Sequence, residues 1–143
     1  MTRGRRLGID FGVARIGVAV SDPDSILSSP LETLIATSPD LWNRFSEIID
    51  EFSPVEIFIG LPIHLKGQES PSTEGARTFA SELQSKFSIP VVFIDERLST
   101  VSAQKKLKEA GVSSKSSKKS IDQMAAVEIL NQGLEINGRA NRE

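Results

Sequence analysis

Residues 5–12 and 16–20 each alternate apolar residues with small or polar ones at a period of two, which commits the start of the chain to β-structure. Leu7, Ile9 and Phe11 fall on one face of the first run, and Gly8, Asp10 and Gly12 on the other. In the second run Ile16, Val18 and Val20 oppose Gly17 and Ala19. Only Val13-Ala14-Arg15 separates the two runs, so they read as neighbouring antiparallel strands of a hairpin. Gly and Ala therefore recur on one face of both strands, and Asp10 sits on that face between two residues without side chains. A carboxylate among apolar neighbours is costly to bury. Asp10 is thus the first candidate for a functional role, with room for something to approach it.

The rest of the chain alternates strand and helix patterns. A third strand is expected near residues 31–35. Ser38-Pro39 has the form of a helix start, and Leu41, Phe45, Ile48, Ile49 and Phe52 then recur at helical spacing. Residues 55–59 are nearly all apolar, as in a strand covered on both faces. They end in Gly60-Leu61-Pro62, a punctuated loop that also carries His64. Ser70-Pro71 opens a second helix with Ala76, Phe79, Ala80, Leu83 and Phe87 on one face. Residues 90–94 form the next buried strand, and this strand–helix–strand order predicts a parallel crossover. Thr100 is placed to cap a third helix with Ala103, Leu107 and Ala110 facing inward. Residues 111–119, with four serines and three lysines, read as a loop. A last helix is expected from Ser120, where Ser120 and Gln123 have capping-box spacing, to a stop at Gly133. The chain thus reads as α/β, one domain over residues 1–137 with a frayed tail at 138–143.

Composition narrows the chemistry. The chain has no cysteine and a single histidine, so thiolate sites, disulfides and sites needing two histidines are excluded. No apolar run approaches the roughly 18 residues of a membrane span, and the start lacks a signal-peptide core, so a cytoplasmic protein with no membrane partner is expected. The net charge of −2 hides an uneven distribution. Residues 97–119 carry seven Lys/Arg and one acid, or +6, which leaves −8 elsewhere. That basic stretch is either a solvated face or a binding surface for a polyanion.

Two further acids stand at conspicuous places: Glu96, just past the apolar run 90–94, and Asp122, in the first turn of the last helix. Each has an ordinary reading. Asp95-Glu96-Arg97 could be a solvated turn, and Asp122 a first-turn acid favoured by the helix dipole. Taken with Asp10, they form a set of hard oxygen donors suited to Mg²⁺ or Mn²⁺. Paired ions about 3.5–4 Å apart can generate a hydroxide and stabilise a leaving oxygen, which is the chemistry of phosphodiester cleavage. The three acids are therefore the candidate catalytic residues and metal ligands.

The segments Gly8-Ile9-Asp10-Phe11-Gly12, Gly17-Val18-Ala19, Gly60-Leu61-Pro62, Asp95-Glu96-Arg97-Leu98-Ser99-Thr100 and Asp122 with Ala125-Ala126 resemble the YqgF-like family in order and spacing over residues 5–131. The Asp-Glu-Arg-Leu-Ser-Thr run is the most specific of them. The resemblance implies an RNase H-like fold, with antiparallel first strands, then parallel ones, in a mixed central sheet flanked by helices. It implies a nuclease related to Holliday-junction resolvases that matures the 5′ end of small-subunit ribosomal RNA. Asp10, Glu96 and Asp122 match the family's acids, and Arg97 a motif arginine that orients Glu96 or meets a phosphate. Lys115, Lys118 and Lys119 are expected to contact phosphates from a loop that orders on binding. The chain departs from the family pattern around His64 and Lys66, which bears on substrate preference.

Three alternatives follow. A symmetric dimer could cut branched DNA, so the expected state is monomer or homodimer. The chain could be a non-catalytic nucleic-acid-binding factor in ribosome assembly or transcription. An actin- or hexokinase-like ATPase also uses an Asp-x-Gly strand end, but needs two such domains where 143 residues supply one.

Overall fold

The computed structural model describes residues 3–61, 71–95 and 115–142. The two alternating runs form β1 (Arg6–Phe11) and β2 (Arg15–Ser21), paired antiparallel with Asp10 opposite Gly17 and Ile9 opposite Val18. β3 (Ser28–Ile35) adds antiparallel to β2 at the sheet edge. Its Pro30 has no N–H to donate, which an edge strand tolerates. The register shifts between Val18 and Ala19, where Pro30 pairs. β4 (Glu56–Leu61) lies parallel to β1, and β5 (Val91–Asp95) parallel to β4. The resulting mixed sheet has the order β3-β2-β1-β4-β5, with the antiparallel and parallel halves where the sequence pattern predicts them, but β5, expected as a buried strand, is an edge strand with Val92 and Phe93 exposed.

Helices cover both faces. α1 (Leu41–Phe52) and α2 (Pro71–Phe87) lie on one. There Leu7, Ile9, Ile16, Val18, Ile57 and Ile59 of the sheet are buried together with Phe45, Ile48, Phe79 and Leu83. Trp42 stacks on Phe79 with ring centroids 5.2 Å apart. Each large apolar side chain taken fully out of water here stabilises the fold by roughly 1.5–3 kcal/mol. α3 (Lys115–Arg142) covers the opposite face, packing Ala126, Ile129 and Leu130 on Ala19, Phe58 and Ile94.

Three helix boundaries differ from expectation. α1 begins at Leu41, not immediately after Ser38-Pro39. Ser38 instead closes a turn, its hydroxyl accepting from the Asp40 N–H at 3.2 Å and its carbonyl from the Leu41 N–H at 3.2 Å. α3 differs more. It starts at Lys115, so Lys115, Lys118 and Lys119 belong to its first turns and not to a loop. Lysine is a good helix former, and extending an established helix by a turn costs little compared with nucleating one. Nor does α3 stop at Gly133; its backbone stays helical to Arg142. Gly133 is a packing residue, because a β-carbon there would run into the Phe58 ring. Four residues further on, Asn137 Nδ2 donates to Glu56 Oε1 at 2.7 Å, which ties the helix to β4. The helix expected from Thr100, and the loop carrying His64 and Lys66, lie outside the described residues. No helix among the described residues is long and apolar enough to cross a membrane.

Candidate functional site

β1, β4 and β5 run parallel, so their carboxyl ends at Phe11, Leu61 and Asp95 share one edge of the sheet. Open α/β sheets bind ligands at that edge. Asp10 is the penultimate residue of β1 and is only 5% exposed. Period-two alternation turns it away from the α1/α2 core and toward the face that carries α3.

The glycines on that face do not leave an empty approach to Asp10, as their lack of side chains suggests. The backbone of α3 occupies the space. A β-carbon on Gly8 would stand 2.5 Å from the carbonyl oxygen of Ala126, and one on Gly17 would collide with the carbonyl of Asp122. These contacts bring the second acid in. Gly17 is the register partner of Asp10, and Asp122 lies directly on Gly17, so two acids far apart in sequence share one glycine neighbour. The Asp122 side chain is 13% exposed. Gln123, next along α3, donates from Nε2 to Thr33 Oγ1 on β3 at 3.1 Å and holds this end of the helix on the sheet.

Arg15, the first residue of β2, completes the described part of the site. Its Nε donates to Asp122 Oδ2 at 2.7 Å. In the sequence Arg15 reads only as part of the turn before β2. The signal was available, since Arg15 falls on the Gly17 and Ala19 face by the alternation that singled out Asp10.

Of the three predicted acids, the structure sets Asp10 and Asp122 each against Gly17, the first as its strand partner and the second through its backbone. Glu96 lies outside the described residues, immediately after the last residue of β5, and Arg97 lies outside them too. Among the described residues no three His, Cys, Asp or Glu side chains are grouped so as to hold a metal ion. The donor chemistry suits a hard divalent cation nonetheless: two carboxylates on rigid elements, with Oδ1 of Asp122 outside the Arg15 bond. Lys115, Lys118 and Lys119 lie on the same helix as Asp122, toward its N-terminus.

Comparison with known proteins gives one consistent result. The RuvX family, described as Holliday junction resolvase, matches residues 4–136. A Streptomyces avermitilis protein named "Putative pre-16S rRNA nuclease" is 45% identical over 148 residues, covering 100% of this chain and 95% of the relative. A Corynebacterium jeikeium protein of the same name is 47% identical over 140 residues, with 96% and 90% covered. Among solved structures, Thermus thermophilus RuvC in complex with a Holliday junction substrate superposes with a TM-score of 0.59 at 17% identity, covering 94% of this chain and 95% of that one. A second structure of Thermus thermophilus RuvC gives a TM-score of 0.56 at 17% identity. At that identity the likeness concerns the fold, which is RNase H-like.

Proposed function

This chain belongs to the RuvX (YqgF) family, and from that premise we propose that it is a metal-dependent nuclease that hydrolyses phosphodiester bonds in the 5′-end maturation of pre-16S ribosomal RNA. The observation that supports the reading is that Asp10 pairs with Gly17 and the Asp122 backbone rests on the same glycine, at the carboxyl edge of the parallel strands. Glu96 is the third acid of the proposed set. It follows Asp95, and its carboxylate would complete the oxygen donors that two described residues begin.

In this reading Asp10, Glu96 and Asp122 are metal ligands and catalytic residues. A divalent cation, Mg²⁺ or Mn²⁺, bound there supplies a lowered pKa for the attacking water and neutralises charge developing on the leaving oxygen. The chain's own contribution is placement. Asp10 is held by a strand paired on both sides, and Asp122 by a helix seated on glycine, so neither carboxylate needs to reorganise. Burial raises the strength of each charge interaction at the site. Arg97, Lys115, Lys118 and Lys119 are the proposed phosphate contacts, and the three lysines belong to α3. Binding should then weaken linearly in log–log terms as salt rises. We place the protein in the cytoplasm, as a monomer or homodimer.

A second reading, cleavage of branched DNA, rests on the description of the matching family as Holliday junction resolvase. It requires two sites at fixed separation, hence a dimer. The deciding experiment incubates purified protein with ribosomal precursor RNA and with a four-way DNA junction, each with Mg²⁺, Mn²⁺ or EDTA. Metal-dependent cutting of the RNA is expected. Cutting of the junction alone would favour the second reading, cutting that persists in EDTA would remove the metal, and binding without cutting of either substrate would leave a non-catalytic factor.

A further inference from the structure

The arginines of this fold are satisfied in different ways. Arg6, 3% exposed, spends its donors internally: Nε on Glu56 Oε1 at 2.8 Å and one terminal nitrogen on Ser25 Oγ at 2.7 Å. Arg44 forks onto Glu32 with Nε and a terminal nitrogen, the latter at 2.6 Å. Arg15 does neither. Its Nε is committed to Asp122, its terminal nitrogens make no further hydrogen bond among the described residues, and its side chain is 36% exposed. Arg3 shares the single Nε bond, but to Asp24 on the turn between β2 and β3, away from both acids.

A guanidinium held at Nε keeps its two terminal nitrogens in a fixed planar fork, which matches two oxygens of a phosphate. The anchor also removes much of the rotational freedom that a free arginine would lose on binding. Charge calls for such a group here. The Asp122 carboxylate by itself repels a phosphodiester, and Arg15 is the cation bonded to it. We propose that Arg15 is a substrate-binding residue: Asp122 anchors its Nε, and its terminal nitrogens grip a backbone phosphate of the nucleic acid beside the acids. This inference rests on the nuclease reading and extends it to the substrate.

The test measures binding in EDTA, where cleavage does not intervene. The probes are a fluorescein-labelled RNA spanning the 5′ end of the small-subunit precursor and a labelled four-way DNA junction, titrated at several salt concentrations with wild type, Arg15→Gln and Arg15→Lys. For the probe that wild type cleaves with Mg²⁺, Arg15→Gln should bind about 10-fold more weakly, with a log–log salt slope shallower by about one. Arg15→Lys should restore the slope and only part of the affinity, because the ammonium lacks the fork. If Arg15→Gln loses cleavage while affinity and slope stay at wild-type values, Arg15 acts only on Asp122 and the proposal fails while the nuclease reading stands. Should Arg15→Gln not fold, Arg15→Lys decides, and affinity equal to wild type overturns the proposal. If wild type binds and cleaves neither probe, both readings fall together.

Discussion

Gly17 and Asp122 are packed so closely that the carbonyl of Asp122 takes the place a Gly17 side chain would need. Because Gly17 is also paired with Asp10, this one contact sets the distance between helix and sheet at the glycine that both acids neighbour. Gly17→Ala should therefore force α3 away from β2. We expect a loss of about 2–3 kcal/mol in stability, read as a lower urea midpoint at unchanged slope. Cleavage should fall by more than the unfolded fraction explains, because Asp122 is displaced. A variant as stable and active as wild type would mean that the helix position does not govern the site.

Asp10→Asn keeps the shape of the side chain and removes its charge. Cleavage should drop at least ~100-fold, the scale on which catalytic groups act, while RNA binding in EDTA is retained. Single-turnover assays beside fluorescence anisotropy separate the two, and undiminished cleavage would take Asp10 out of the mechanism.

Gly133→Ala sets two effects against each other. Alanine is favoured over glycine inside a helix by about 1 kcal/mol. Its β-carbon would meet the Phe58 ring, which is fully buried and cannot move aside; overpacking of that kind costs about 1–3 kcal/mol. The net expectation is destabilisation. A higher melting temperature would show that the ring has room.

Glu56 accepts from Arg6 Nε at 2.8 Å and from Asn137 Nδ2 at 2.7 Å, joining β1, β4 and α3. Glu56→Ala would remove the carboxylate bonded to the buried Arg6 guanidinium, at a cost of about 3–5 kcal/mol. Hydrogen exchange should quicken around Asn137, where α3 loses its tie to the sheet. Exchange rates unchanged there would argue that the apolar contacts alone hold the end of α3.

Asp22 gives a pH dependence. Its carboxylate accepts from the N–H of Leu27 at 2.9 Å and of Ile26 at 2.7 Å, and these bonds, Leu27 first, hold its pKa below the ordinary 3.8. A depressed folded pKa contributes stability above the unfolded value and loses it as pH falls through the folded one. Asp22→Ala should thus be less stable than wild type at pH 7, with the gap narrowing below about 3.8. Urea melts across that range check it; a gap that widens in acid would reverse the sign.

Much of the architecture was legible before any coordinates. The alternation of residues 7–11 and 16–20 places their apolar members in the α1/α2 core, and the continuous apolar run in β4 matches a strand covered on both faces. The faces predicted for α1 and α2 are those that bury Phe45, Ile48, Phe79 and Leu83. These features depend on periodicity, which is a property of neighbouring residues. The boundaries of α3 were not legible. Gly133 has the local form of a helix stop, and only the Phe58 ring, far away in sequence, turns it into a packing position.

The amino-acid sequence alone determined the strand faces, the mixed order of the sheet and the solitary carboxylate of Asp10, because side-chain alternation and apolar spacing are decided within a few residues. Tertiary structure alone decided that the glycine face is filled by the backbone of α3, that the Asp122 backbone rests on Gly17, and that Arg15 is the Asp122 partner at 2.7 Å across 107 positions of chain. Such relations arise when a helix docks on a sheet, and close packing between distant segments leaves no periodic trace in either one.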